Sequence, residues 1–235
     1  GWISLALLGL SVAAALLFRR VDQRSAQPFF PAGAMGAEVL RRGLIANALV
    51  AAVMMTMLVV SPFFLARGLG LQAGAVGLAM TLGPVLSAAS GIPSGRLVDR
   101  WGAAPVARLG VVLMLLAVAV IAAGTQVIGL WGFLAGVVFL TPGYQLFLAA
   151  NTTQVLMTAG EAQRGAASGL LGLSRNLGLI AGAAVMAALF GWATGPGDAA
   201  QADPAVVVRA TGGTFAAAAG LLIAAVALLR PGVRK

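Results

Sequence analysis

The 235-residue chain is cut into seven long apolar runs by short polar breaks, and its basic residues collect in every second break. Arg19, Arg20, Arg24, Arg41 and Arg42 lie in the first break. Arg96, Arg100 and Arg108 surround the third, Arg164 and Arg175 the fifth, and Arg230, Arg234 and Lys235 form the tail. Only Arg67 and Arg209 fall in the alternate breaks, so 13 of the 15 basic residues share one side if each run crosses a bilayer once. Cytoplasmic loops carry such an excess of Lys and Arg. The pattern predicts a multi-span membrane protein whose first run enters from outside and whose C-terminus is cytoplasmic.

Run length supports this reading. A hydrocarbon core about 30 Å thick needs about 20 helical residues. The runs cover roughly 1–18, 43–66, 73–95, 104–124, 127–150, 167–192 and 209–229. They are continuous rather than alternating, which excludes barrel strands, and an open strand would leave backbone groups unpaired in lipid. The expected fold class is therefore all-α, a polytopic membrane helical bundle. Residues 1–18 read as an accessory transmembrane span and 19–42 as a cytoplasmic linker. Residues 43–229 read as a six-span unit and 230–235 as a cytoplasmic tail. Pro28 and Pro31 break the linker, Thr125-Gln126 reads as a minimal outer turn, and 193–208 as a longer outer loop. Residues 1–18 lack the basic start and small-residue cleavage site of a signal peptide, so they are expected to be a span whose upstream neighbours are missing.

Composition excludes much else. The chain is 60% hydrophobic and 9% charged, against about 25% charged in soluble domains. The net charge of +9 is dispersed between apolar runs rather than gathered in a patch with aromatics, so nucleic acid is not an expected partner. The expected partners are the lipid bilayer and a small-molecule substrate. There is no Cys and no His, which removes thiol nucleophiles, histidine bases and Cys or His metal sites. No acid lies within an apolar run. An enzyme is therefore not expected, nor a metal or cofactor.

Glycine is abundant, at 32 residues, and often spaced in fours. Gly91/Gly95, Gly132/Gly136, Gly165/Gly169 and Gly178/Gly182 each read as a packing seam, because glycine lets helix backbones approach in lipid. The third break, Gly91-Ile92-Pro93-Ser94-Gly95-Arg96-Leu97-Val98-Asp99-Arg100-Trp101-Gly102, has the makings of a latch. Gly95 permits close approach, Asp99 can pair with a base or a helix N-terminus, and Gly102 permits a tight turn. The bland alternative is a solvated charged loop.

This break resembles motif A of the major facilitator superfamily, with Gly95, Asp99, Arg100 and Gly102 on the motif positions. Ala103 and Ala104 stand where the family pattern continues with a basic residue, which fits the degenerate copy of the second half. Tyr144 to Thr153, Gln163-Arg164-Gly165 and Ser168 to Gly178 resemble the fourteen-span drug:proton antiporter, multidrug-efflux branch. So do the Trp2-led opening span and the proline-bearing linker. The resemblance implies a C-terminal six-helix half plus one preceding span, built from inverted three-helix repeats. It also implies alternating-access efflux of amphipathic compounds from a bacterial cell across its plasma (inner) membrane. The proton-titrating acid is then expected in a missing N-terminal half. The rival functions are transport of a polar metabolite by the same fold and a non-transporting assembly subunit.

Polar groups at membrane depth are functional candidates. Asn47, Thr56, Tyr144, Gln145 and Asn151 are candidates for a substrate path, with interhelical hydrogen bonding as the alternative. Thr141-Pro142-Gly143 is expected to interrupt the fifth span. Arg175, about two turns into its run, is expected to snorkel or to join Glu161, Arg164 and Asp99 in a gating network. Met54, Met55, Met57 and Met80 offer soft apolar surface for ligands or core filling.

Overall fold

Backbone amides in a bilayer find no water, so each apolar run closes its own hydrogen bonds as a helix. In a computed structural model of the chain, the described residues are 34–159, 161–195, 197 and 199–229. The expected first span, residues 19–33 of the linker and the tail 230–235 lie outside them. Six helices follow: α1 Ala34–Phe63, α2 Ala73–Trp101, α3 Ala103–Val127, α4 Leu130–Thr158, α5 Arg164–Thr194 and α6 Pro204–Leu228. All six are long and apolar enough to cross a membrane, and no strand occurs among the described residues. The all-α polytopic bundle stands.

The boundaries differ from expectation in instructive ways. Residues 34–42, read as linker, are the first turns of α1. Helix α2 does not stop near Gly95; it runs through the charged motif to Trp101. Polarity ends a span but not a helix, and Arg100 in the last turn suits the negative end of the helix dipole. The α2–α3 connection is Gly102 alone, at φ 81° and ψ 159°, a backbone region open essentially to glycine. The outer turn lies at Ile128-Gly129, not Thr125-Gln126, because α3 continues to Val127. Thr141-Pro142-Gly143 does not interrupt α4. One missing N–H is tolerated there because α3 packs along the site, with Gly143 against the Gly110 carbonyl and Met114. Near the end of α1, Pro62 is followed by a π-helical turn over Phe64–Gly68, where a widened ladder absorbs a disrupted bond.

Helices α3 and α4 form the closest-packed pair, followed by α1 with α5. Helix α6 packs on α3 and α1, and α2 packs mainly on α4. Phe64, Phe133, Phe147, Phe215, Met114 and Ile121 fill the centre. Two of the four glycine seams form as expected. Gly132 and Gly136 abut Gly124 and Ile121 of α3, and Gly178 and Gly182 abut Ala48 and Ala52 of α1. Gly91/Gly95 and Gly165/Gly169 meet nothing within 4 Å, so spacing alone did not distinguish a packed face from an open one.

Candidate functional site

Helices α2 and α5 are the least buried of the six and flank α4. The face made by α2, α4 and α5 is therefore lined by helices with open surface, while α3 and α6 pack elsewhere in the bundle. Ser87 stands at the midpoint of α2, Tyr144 and Gln145 at that of α4, and Arg175 about one turn before the middle of α5. Gln145 Nε2 donates to the Ser87 carbonyl at 3.0 Å and to its hydroxyl at 2.8 Å. The Arg175 guanidinium is the charged neighbour of the Tyr144 phenol. Two polar pairs, Gln145 with Ser87 and Tyr144 with Arg175, thus lie near the middle of these helices on adjacent positions of α4. Arg175 lies about three turns into α5, which starts at Arg164, three residues before the apolar run. It is directed to Tyr144 at depth, and it remains exposed.

The remaining path candidates are committed to neighbouring helices. Asn47 is 3% exposed and Asn151 1%. Asn47 Nδ2 donates to the Leu171 carbonyl at 2.9 Å and the Ser174 hydroxyl at 3.1 Å, and that hydroxyl donates to the Leu44 carbonyl at 2.8 Å. Asn151 Nδ2 donates to the Gly43 carbonyl at 3.2 Å. These bonds tie α1 to α5 and to α4, each contributing on the order of 0.6 kcal/mol in lipid. Thr56 is fully buried, and its hydroxyl, like those of Ser61 and Thr141, has no hydrogen-bond partner among the described residues. Of the four methionines, Met57 is buried beside Gly83 of α2, and Met54 and Met80 pack against the core.

At the Gly102 end of the bundle, Arg96, Asp99 and Arg100 are exposed on the last two turns of α2, and Gly95 is half-buried. Asp99 makes no ion pair or hydrogen bond among the described residues. Glu161 opens a 3-10 turn, Glu161–Gln163, and Arg164 begins α5; both are exposed. The structure does not bring Asp99, Glu161, Arg164 and Arg175 together. Among the described residues, an ion pair joins Arg42 to Glu38, one turn apart on α1. At the opposite end, Arg67 Nε donates to the Ala202 carbonyl at 2.7 Å and Nη2 to that of Gln201 at 3.3 Å, which holds the α5–α6 loop.

Sequence reasoning missed Ser87 and Ser174. Ser87 had a signal: Gly83, Ser87, Ser90 and Ser94 recur at helical spacing as a stripe of small, mostly polar residues on α2. Ser174 had only its place beside Arg175.

A model of the Major Facilitator Superfamily matches residues 43–235. No curated protein matches the chain.

Proposed function

The chain belongs to the Major Facilitator Superfamily, and on that premise we propose that this multi-pass membrane transporter works by alternating access as a proton-coupled exporter of amphipathic small molecules. The observation that carries the reading is the pair of polar contacts near the middle of α2, α4 and α5, Gln145 with Ser87 and Tyr144 with Arg175. Ionisable groups are expensive at this depth and mark transport pathways.

In this reading the open face is one wall of the cavity, and the six helices are the C-terminal half of the transporter. The helices that complete it carry the titrating carboxylate, since no acid lies within the six apolar runs of this half. A carboxylate facing Arg175 would be held ionised by the guanidinium, and its protonation would release the pair and couple proton entry to substrate exit. The Gly95–Gly102 segment latches the two halves at the cytoplasmic end, with Asp99, Arg96 and Arg100 as its charged groups. The membrane is the bacterial inner membrane, with the C-terminus cytoplasmic.

The whole transporter in proteoliposomes tests this with a fluorescent lipophilic cation and an imposed pH gradient. Gradient-driven uptake that a protonophore abolishes is expected, and uptake indifferent to the gradient refutes proton coupling. Placing a cysteine at Arg100 and labelling intact cells with an impermeant maleimide tests orientation. Labelling from outside would overturn it.

A further inference from the structure

One cleft lies away from the open face. The starts of α1 and α3 and the ends of α4 and α6 enclose about 220 Å³ at one end of the bundle. Arg42, Arg108, Asn151 and Gln154 supply its polar lining; Val39 and Val155 are among its apolar residues. That volume is below the roughly 300–1,000 Å³ of drug-sized sites, so it suits a headgroup better than a whole transported molecule.

The donors are placed and partly unused. Arg108 is half-buried, and its Nε donates to the Leu229 carbonyl at 2.6 Å. That bond fixes the guanidinium while its two terminal nitrogens have no partner among the described residues. Arg42 gives one terminal nitrogen to Glu38, and its remaining donors are likewise unmatched there. Glu38 offsets one of the two positive charges and is itself half-exposed. Asn151 spends its amide nitrogen on Gly43, which leaves a carbonyl oxygen to accept. The Gln154 side chain has no partner among the described residues.

We propose that this cleft is a binding site for the headgroup of an anionic phospholipid. The guanidinium groups hold the phosphodiester, Asn151 and Gln154 meet headgroup hydroxyls, and Val39 and Val155 meet the start of the acyl chains. All four helices contribute residues near their ends, which is the headgroup level of a bilayer, and basic pockets between spans recognise such lipids. The apolar wall distinguishes this source from free phosphate, which would leave it unused.

Native mass spectrometry of the purified, delipidated transporter tests the site with added phosphatidylglycerol, phosphatidylcholine or inorganic phosphate. Phosphatidylglycerol is expected to bind about tenfold more tightly than phosphatidylcholine, the worth of one charge-assisted contact. Arg42→Gln with Arg108→Gln is expected to erase that preference, and the paired Lys variants to keep most of it. Arg41→Gln, an exposed cation at the same end but outside the cleft, is expected to leave it intact. Equal binding of the two lipids overturns the proposal, as does an equal loss in Arg41→Gln. Displacement of the lipid by equimolar inorganic phosphate overturns the lipid source. Should the double Gln variant not fold, Gln154→Leu and the Lys pair still decide the matter: Gln154→Leu is expected to weaken binding of phosphatidylglycerol, and unchanged binding there or loss in the Lys pair refutes the assignment.

Discussion

Gly178 lies directly on the Ala48 backbone, so α5 and α1 meet there with no side chain between them. A methyl group added at Gly178 would collide with the Ala48 carbonyl and Cα, both main chain and unable to step aside. Gly178→Ala is therefore expected to destabilise the bundle by about 2 kcal/mol through overpacking. Gly213→Ala on α6, where the methyl meets nothing within 4 Å, is expected to be neutral or stabilising by about 0.5 kcal/mol. Thermal unfolding of the two variants in detergent compares them, and equal losses would mean that this seam is not close-packed.

Asn47 and Ser174 form a relay between the same two helices, ending on the Leu44 carbonyl. Asn47→Ala is expected to cost about 1 kcal/mol, within the range of interhelical hydrogen bonds in membranes. A double-mutant cycle with Ser174→Ala should return a coupling of about 0.5 kcal/mol or more. Strict additivity would show that the two side chains act separately.

Gly102 is the whole connection between α2 and α3, and its positive φ rather than crowding requires glycine, since an added methyl finds open space. Gly102→Ala is expected to cost about 1–3 kcal/mol of strain. A melting temperature unchanged from the parent protein would show that the turn relaxes freely.

Arg67 holds the loop before α6 by two main-chain carbonyls. Arg67 and Gln201 are exposed and Ala202 is half-buried, so Arg67→Ala is expected to cost less than about 1 kcal/mol globally. Its effect is local: hydrogen exchange at residues 199–203 should accelerate while α3 and α4 stay protected. Uniform acceleration would assign Arg67 a global role.

In the proposed cycle, Arg175 and Gln145 bear on transport. Arg175→Gln is expected to lower the proton-driven transport rate about tenfold or more, as loss of a charged contact would, with little change in melting temperature. Arg175→Lys should recover part of the rate. Gln145→Ala should weaken the α2–α4 contact and raise KM more than it lowers kcat. A normal rate in Arg175→Gln would remove the Arg175 contact from the pathway.

Much of the fold was legible because its causes are local. The six described spans follow from run length and hydropathy. The glycine seams were half legible: Gly178/Gly182 and Gly91/Gly95 carry the same spacing, yet one pair is packed and the other open. The polar candidates divided in the same way. Asn47, Asn151 and Gln145 link helices, Tyr144 lies beside Arg175, and no periodicity within one helix foretells those partners.

By itself, then, the sequence determined that this chain is a set of lipid-spanning helices, because unpaired backbone in hydrocarbon costs more than any alternative contact returns. Only the tertiary structure decided which glycines are seams, that the charged motif ends as helix at a one-residue turn, and that Gln145 meets Ser87 while Tyr144 meets Arg175. Those outcomes depend on which helix lies beside which. That neighbourhood is set by packing across long stretches of chain, where dispersion and interhelical hydrogen bonds act and hydropathy does not discriminate.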